Sequence, residues 1–533
     1  MKHFRYIATA ACTATALLLF TGCTKLGPDF SGIEPPKMPK EIETANRVAD
    51  EDIAEWWQIF DDPVLTKLVE KAYGQNLDLQ SAGLRILQAR AALGIATGMQ
   101  YPQVQTLSGN LASTYKDRHI DSAGLNFDIG WEMDIWGKYA RGIESAEANL
   151  FASVASYRDL MISVLAEVAR NYINYRMTEE RIAYAERNVA IQERVTRMTE
   201  IQFNSGNVSE LDMQQSRTQL YNTRATLPGL ELSKIKTVNA LAILLGTTPE
   251  EVRIIVDTDD KSLQDAINRY IATGRQGTIQ LSEKEQDLLD LSYIPEPAFD
   301  PHHIIDASLL TRRPDIKVAE YRAHAAAAQI GATEALLYPS FTLFGSIGYN
   351  AADMGFGWGT AAKNLSVTAG PGFSWNIFQY GRLKNQVRLQ DAKFEESLVN
   401  YSKKVLQAAS EVSNALNGYL LTRKQLEERR KSVEATVRAF NISVTQYHDG
   451  LVSYQRLLST VEKLTLAQDA YARTRGELAA DIVLLYKSLG GGWQMSSGNA
   501  YLSKESMKRI KARGTDWGDY LDANRTLMPE GWK

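Results

Sequence analysis

Few residues of this 533-residue chain are spaced for bond-making chemistry. Cys23 is the clearest. It follows Thr21-Gly22 and an uncharged, mostly apolar run from Ile7 to Phe20, which Lys2, His3 and Arg5 precede. That layout is a secretory signal, so the chain is expected to be exported, cleaved before Cys23 and acylated on its thiol. The alternative is a simple signal with an incidental cysteine. The run is roughly fourteen residues long, short of the about 20 that span a bilayer as a helix. Ser209-Glu210-Leu211-Asp212 has the Ser-x-x-acid spacing of a capping box, which is reason enough for Asp212 to be acidic. The six histidines (3, 119, 302, 303, 324 and 448) are scattered, and there is no HExxH and no Walker loop. His302-His303 reads as solvated loop in a Pro-rich link. Gly355, Gly357 and Gly359 alternate with Phe356 and Trp358, but no strand feeds them into a helix. They read as a hairpin tip rather than a phosphate loop. No catalytic group, metal site or cofactor cradle emerges, so no enzyme is expected.

The elements that carry these residues follow from composition and periodicity. Cys12 lies inside the signal, so the mature chain keeps Cys23 alone and has no internal disulfide. Lys and Arg number 59 and Asp and Glu 63, a net charge of -4 that offers no basic excess for nucleic acid. Nothing after residue 23 approaches a spanning helix, so a membrane crossing has to be made by strands.

The chain is written twice. Tyr101-Pro102-Gln103 is answered by Tyr338-Pro339-Ser340, and Trp136-Gly137-Lys138 by Tyr380-Gly381-Arg382. Gly206 matches Gly450, and Leu244-Leu245-Gly246 matches Ser488-Leu489-Gly490. The glycine pairs share an offset of 244 and the proline pair one of 237, so seven residues are inserted between Pro339 and Gly381. The copies lie near 60–250 and 305–492. Each holds a moderate helical stretch (Leu65 to Gly98; Pro314 to Leu337), two strand-like segments, a very long helix, a Gly turn and another long helix. Between Gly137 and Gly206 only Gly142 interrupts, between Gly381 and Gly450 only Gly418, and neither run has a proline. Each run can extend roughly 100 Å at 1.5 Å per residue. Val154, Tyr157, Met161, Val164, Val168, Tyr172 and Tyr175 keep a 3/4 rhythm suited to side-by-side packing. An ordinary bundle would show the same stripe.

The strand-like segments discriminate better. Leu125 to Trp136 alternates, with apolar residues at 125, 127, 129, 131, 133 and 135. The second copy repeats this from Leu365 to Ile377, and the partners are Gln103 to Lys116 and Phe341 to Asn350. One apolar face, one polar or Gly-rich face and aromatics near the ends suit an outer-membrane barrel strand. Four strands cannot close a barrel, so several copies must pool them. Asp128, Glu132 and Asp134 fall on the polar face and are expected to line the lumen, either biasing passage toward cations or keeping the lumen wet.

With these residues in view, the chain resembles the TolC-like outer membrane factors, in the NodT/OprM lipoprotein branch serving tripartite efflux pumps. The motifs are Leu309-Leu310-Thr311-Arg312-Arg313-Pro314-Asp315-Ile316 with Ala319-Glu320, Tyr338-Pro339, Gly381-Arg382, Asn239-Ala240-Leu241 with Leu244-Leu245-Gly246, and Leu489-Gly490-Gly491-Gly492-Trp493. Thr21-Gly22-Cys23 resembles a lipobox, with Phe20 where leucine is usual. The resemblance implies an α+β membrane protein: a trimeric TolC-like channel whose chains each give four barrel strands plus long periplasmic helices in two repeats. It implies as partners outer-membrane lipid, a periplasmic adaptor and an inner-membrane transporter of the resistance-nodulation-division type, with no nucleic acid. The boundaries read as signal 1–22, lipid-anchored and equatorial segment 23–60, first repeat 61–250, inserted equatorial link 251–304, second repeat 305–493 and polar tail 494–533. The resemblance places the adaptor contact at the tips, here Ser205-Gly206-Asn207 and Asp449-Gly450-Leu451. It places the gate at Asp212 and at the position nine residues beyond the second tip glycine, where an aspartate is common and Ser459 stands here. Glu462, one turn away, offers a substitute charge, and Arg456 and Tyr447 offer bridges between neighbouring helices or plain tunnel wall. The expected activity is passive exit of drugs or other small molecules. A duct for type I secretion or metal-ion export remains open, as does a structural coiled-coil lipoprotein without membrane strands.

Overall fold

The computed structural model describes residues 24–34, 53–115, 119–257, 265, 293–297, 312–352, 365–496 and 501–521. Cys23, His302-His303 and the Gly355 to Gly359 run lie outside them.

The first copy begins with helices α1 (Pro63–Gln75) and α2 (Leu77–Gly98). The continuous stretch expected from Leu65 to Gly98 is broken because Asn76 caps α2. Its side-chain oxygen accepts from the Leu79 N–H at 2.8 Å, while its amide donates to the Leu244 carbonyl at 2.8 Å. Strands β1 (Val104–Tyr115) and β2 (His119–Met133) follow, then α3 (Lys138–Asn204), α4 (Glu210–Leu245) and α5 (Pro249–Asp257). The second copy supplies α6 (Pro314–Glu334), β3 (Ser340–Ala352), β4 (Leu365–Ser374), α7 (Arg382–His448) and α8 (Tyr454–Leu489). Helices α3 and α7 are 67 residues each, and α4 and α8 are 36 each. That identity makes the duplication free of gaps along the long helices.

Glycine sets these lengths. Gly137 and Gly381 start α3 and α7 at φ +73° and +78°, left-handed values costly for any residue with a Cβ. Both long helices end in a Schellman motif. The Asn207 N–H donates to the Gln202 carbonyl at 2.9 Å and the Gly206 N–H to Phe203 at 2.9 Å. Leu451 donates to Gln446 at 2.8 Å and Gly450 to Tyr447 at 3.1 Å.

The strands form one antiparallel sheet in the order β1-β2-β3-β4, with β1 and β4 at its edges. Two hairpins were legible in the sequence; the β2–β3 pairing that joins the copies, Phe127 opposite Ile347 and Trp131 opposite Leu343, was not. Below the sheet the long helices lie side by side, α3 packing on α4 and α8, and α7 on α8, with α6 wedged against α3 and α7 and α2 against α3. All seven residues of the 154 to 175 stripe are buried in the main core, beside Trp56, Trp57 and Leu65. Among the described residues no helix is long and apolar enough to cross a membrane.

Among the described residues, the segment after Trp493 is folded. Helix α9 (Lys504–Ala512) and a 3-10 turn (Gly518–Leu521) pack on α2.

Candidate functional site

The sheet separates its two faces row by row. Leu107, Phe127, Ile347 and Val367 align across all four strands, and the next row is Thr106, Asp128, Ser346 and Thr368. The apolar row is open to the surroundings in the single chain. Asp128 therefore sits in a polar row.

Of its two acidic neighbours, Glu132 shares this face, opposite Thr342, and Asp134 does not. β2 ends at Met133, short of the Trp136 expected from the alternation. Asp134 lies beyond it, and its carboxylate accepts from the backbone N–H groups of Tyr139 (3.1 Å) and Ala140 (2.7 Å), which have no partner within a helix's first turn. It caps α3 rather than extending the strand's polar face. Glu132 takes Lys138 at 3.0 Å and the Tyr139 hydroxyl at 2.8 Å, so its charge is locally balanced. β4 likewise stops at Ser374, before Ile377.

At the far end, both tips close on one apolar cluster in which Ile191 and Val195 of α3 meet Phe440, Val444 and Tyr447 of α7 and Tyr454, Leu457 and Val461 of α8. Ser205, Gly206, Asn207, Asp449, Gly450 and Leu451 are exposed, and a Cβ built on either glycine meets nothing within 4 Å. Only the left-handed backbone requires glycine there.

The capping box exists as drawn from the sequence: the Ser209 hydroxyl accepts from the Asp212 N–H at 3.2 Å, and the Asp212 carboxylate accepts from the Ser209 N–H at 3.1 Å. Ser453, the equivalent residue, makes no side-chain cap, and Arg456 stands where Asp212 stands in the first copy. Tyr447 is buried, its hydroxyl 3.4 Å from that of Thr199, and it packs edge-on against Tyr454 with centroids 5.9 Å apart. Burial pushes the Tyr454 hydroxyl up to about 12; a hydrogen bond with Ser216 opposes this, and the charges of Asp212 and Glu462 add to it. Asp212 and Glu462 thus act on one spot from different copies. Ser459 is half-buried nearby on α8, while Glu462 and Arg456 are exposed.

Two of the buried arginines, Arg313 and Arg141, had no role assigned from the sequence. Arg313 of the Arg-Arg-Pro-Asp run donates to the Ser488 carbonyl at 2.6 Å, to both Asp315 oxygens at 3.0 and 2.9 Å and to Glu411 at 2.7 Å. It closes the end of α8, where Gly490 turns left-handed at φ +80°, and ties that end to α6 and α7. Arg141 holds the segment after Cys23, donating to the carbonyls of Leu26 (2.8 Å) and Gly27 (3.1 Å) and to Asp29 (2.7 Å). The only sequence signal was an arginine inside a core-facing stretch, since Arg is almost never buried unpaired. Beside Arg313 an open cleft of about 480 Å³ is lined by Asp159, Lys404, Asp481 and Lys487, and burial raises both aspartates above the usual carboxylate range. Among the described residues no group of three or more His, Cys, Asp or Glu is arranged to hold a metal.

The chain is similar along most of its length to proteins of known class. It is 28% identical to nodulation protein T of Rhizobium leguminosarum bv. trifolii, over 89% of this chain and 96% of the relative. It is 28% identical to the pyoverdine export outer membrane protein OpmQ of Pseudomonas putida, over 91% of this chain and 98% of the relative. Among solved structures, the outer-membrane channel OprN superposes with a TM-score of 0.73 at 28% identity, covering 88% of this chain and all of that one. The family model for outer membrane efflux proteins matches residues 68–247 and 307–491, which are the two copies that share the sheet and the long helices. The chain belongs to the outer membrane efflux protein family.

Proposed function

We propose that this outer membrane efflux protein works as a homotrimer and a passive exit duct, catalysing nothing itself. The inner-membrane transporter, of the resistance-nodulation-division type, supplies the energy through a periplasmic adaptor seated on the tips. Cys23 carries the lipid anchor, Asp128 faces the lumen, and Asp212 with Arg456, Ser459 and Glu462 forms the gate.

One observation carries the reading: the chain has two unlike open edges, and its own interior contains the template for joining them. Where copy one meets copy two, Ile129 lies opposite Gly345, and Trp136 stacks on Tyr338 at 4.8 Å and donates to the Pro339 carbonyl at 2.8 Å. Advancing each copy by one repeat sets β4 of one chain beside β1 of the next. Gly109 faces Leu125 as Gly345 faces Ala369, so Gly109 and Gly345 are equivalent. Phe373, which corresponds to Ile129, then falls opposite Gly109 of the partner subunit, and Tyr380 falls on Tyr101 of the partner subunit. Phe373, Tyr380 and Tyr101 are all widely exposed in one chain, at 73%, 104% and 64%. Two chains would pool eight strands, a barrel whose interior side chains fill. Three chains of four strands leave room for water.

Cysteines at Gly109 and Phe373 are expected to give disulfide-linked species up to the trimer, because directly paired strand positions place Cβ atoms about 4.5–5.5 Å apart. A ladder ending at the dimer would overturn the trimer, and an intact oligomer without cross-links would overturn the register. In planar bilayers the wild type should conduct weakly. Asp212→Asn, which keeps an oxygen for the Ser209 N–H but loses the charge, should conduct several-fold more. Unchanged conductance would remove Asp212 from the gate.

A further inference from the structure

Helix α9 and the turn after it lie beyond the region matched by the family model, which ends at residue 491. They are seated firmly. Gly83 and Gly94 lie three turns apart on α2; a Cβ on Gly83 would collide with the Tyr501 carbonyl, and one on Gly94 would push against the Tyr520 hydroxyl. Arg90 donates to the Tyr520 carbonyl at 2.9 Å, and the Tyr157 ring of α3 meets Tyr501 edge-on at 5.2 Å. Ser506 and Ile510 are buried, and Met507 lines a small cavity with Gly83, Ile86 and Leu87 of α2.

What this seat presents outward is positive. Lys504, Lys508, Arg509, Lys511 and Arg513 are exposed, against the single carboxylate of Glu505, in a chain whose net charge is -4. Arg509 pairs with Glu505 at 2.9 Å; the other four have no ion pair among the described residues. Helix stability explains only part of the pattern. Cations in the last turn favour the helix dipole, but Lys504 occupies the first position, where a cation opposes it. Depth selects the counter-ion. Tyr157 is the twentieth residue of α3, so the patch lies about 30 Å below the strands and roughly 70 Å above the tips. That is too deep for membrane headgroups and too far from the tips for a contact there. The stationary polyanion at such a depth in the periplasm is the cell wall, a glycan mesh whose peptides carry free carboxylates.

We propose that the outward face of α9 is a docking patch for peptidoglycan, holding the channel in the wall by charge. The test uses the full-length protein in detergent and purified, insoluble peptidoglycan sacculi. The wild type should co-sediment with sacculi at about 50 mM salt and be released by about 0.5 M, where the screening length falls below the spacing of surface charges. Combining Lys504→Gln, Lys508→Gln, Lys511→Gln and Arg513→Gln should cut the bound fraction at least five-fold. The apolar seat is untouched, so the oligomer and its conductance should persist, which separates failure here from failure of the duct reading. Sacculi with amidated carboxylates should not bind the wild type. Equal binding by the variant, salt-insensitive binding, or a preference for vesicles of anionic phospholipid over sacculi would each overturn the proposal.

Discussion

Arg313→Ala is expected to destabilise the folded chain by about 3 kcal/mol, read as an oligomer band that dissociates at a clearly lower temperature. The guanidinium is 8% exposed and satisfies the Ser488 carbonyl, the largely buried Asp315 and, at its rim, the half-open Glu411. Most of the loss comes from the first two, since an acceptor left buried without a donor costs far more than a surface ion pair returns. Glu411 can turn to water and contributes little. Arg313→Lys keeps the charge but cannot reach three groups lying in different directions, so it should fall between the wild type and alanine. A thermal midpoint unchanged in Arg313→Ala would mean that the end of α8 is held by something else. The Arg-Arg-Pro-Asp run that carries the family resemblance is therefore a structural clasp, fastening the end of the second repeat's last helix to the start of that same repeat.

The second large effect is expected at the tips, and there it should spare the fold. Gly206→Val combined with Gly450→Val forces two β-branched residues into left-handed backbone, at roughly 1–2 kcal/mol each. No neighbouring atom resists the new side chains. The strain is confined to two exposed turns, so the proposed trimer should form normally while adaptor-dependent drug resistance falls ten-fold or more. Unchanged resistance would refute the tips as the adaptor contact. Asparagine at both positions refines the result, because it tolerates the left-handed region while adding a side chain. Resistance kept with asparagine and lost with valine would make backbone shape the requirement. Loss with both would mean that the adaptor needs bare glycine.

What the chain's own order of residues determined is local and periodic. The absence of proline and near absence of glycine over 67 residues specified α3 and α7, and the 3/4 stripe from Val154 to Tyr175 named the face that is buried. Strict alternation specified the strands and the polar row holding Asp128. The capping box at Ser209 and Asp212 needed only residues three apart, and it is present. Short-range spacing is decisive in these cases because a helix or strand repeats its geometry every 3.6 or 2 residues.

Tertiary structure decided whatever depended on groups far apart in sequence. Asn76 breaks the first helical stretch because the Leu244 carbonyl waits for its amide. Alternation alone continues past Met133, yet the strand stops there because Asp134 is claimed by the start of α3. The pairing of Phe127 with Ile347, the grip of Arg313 on Ser488 and the seat of the tail on Gly83 and Gly94 join segments that share no period. The repeat told where the elements lie and which face of each is apolar. Which apolar face meets which, and which buried donor finds which carbonyl, is settled only when backbones approach within contact distance.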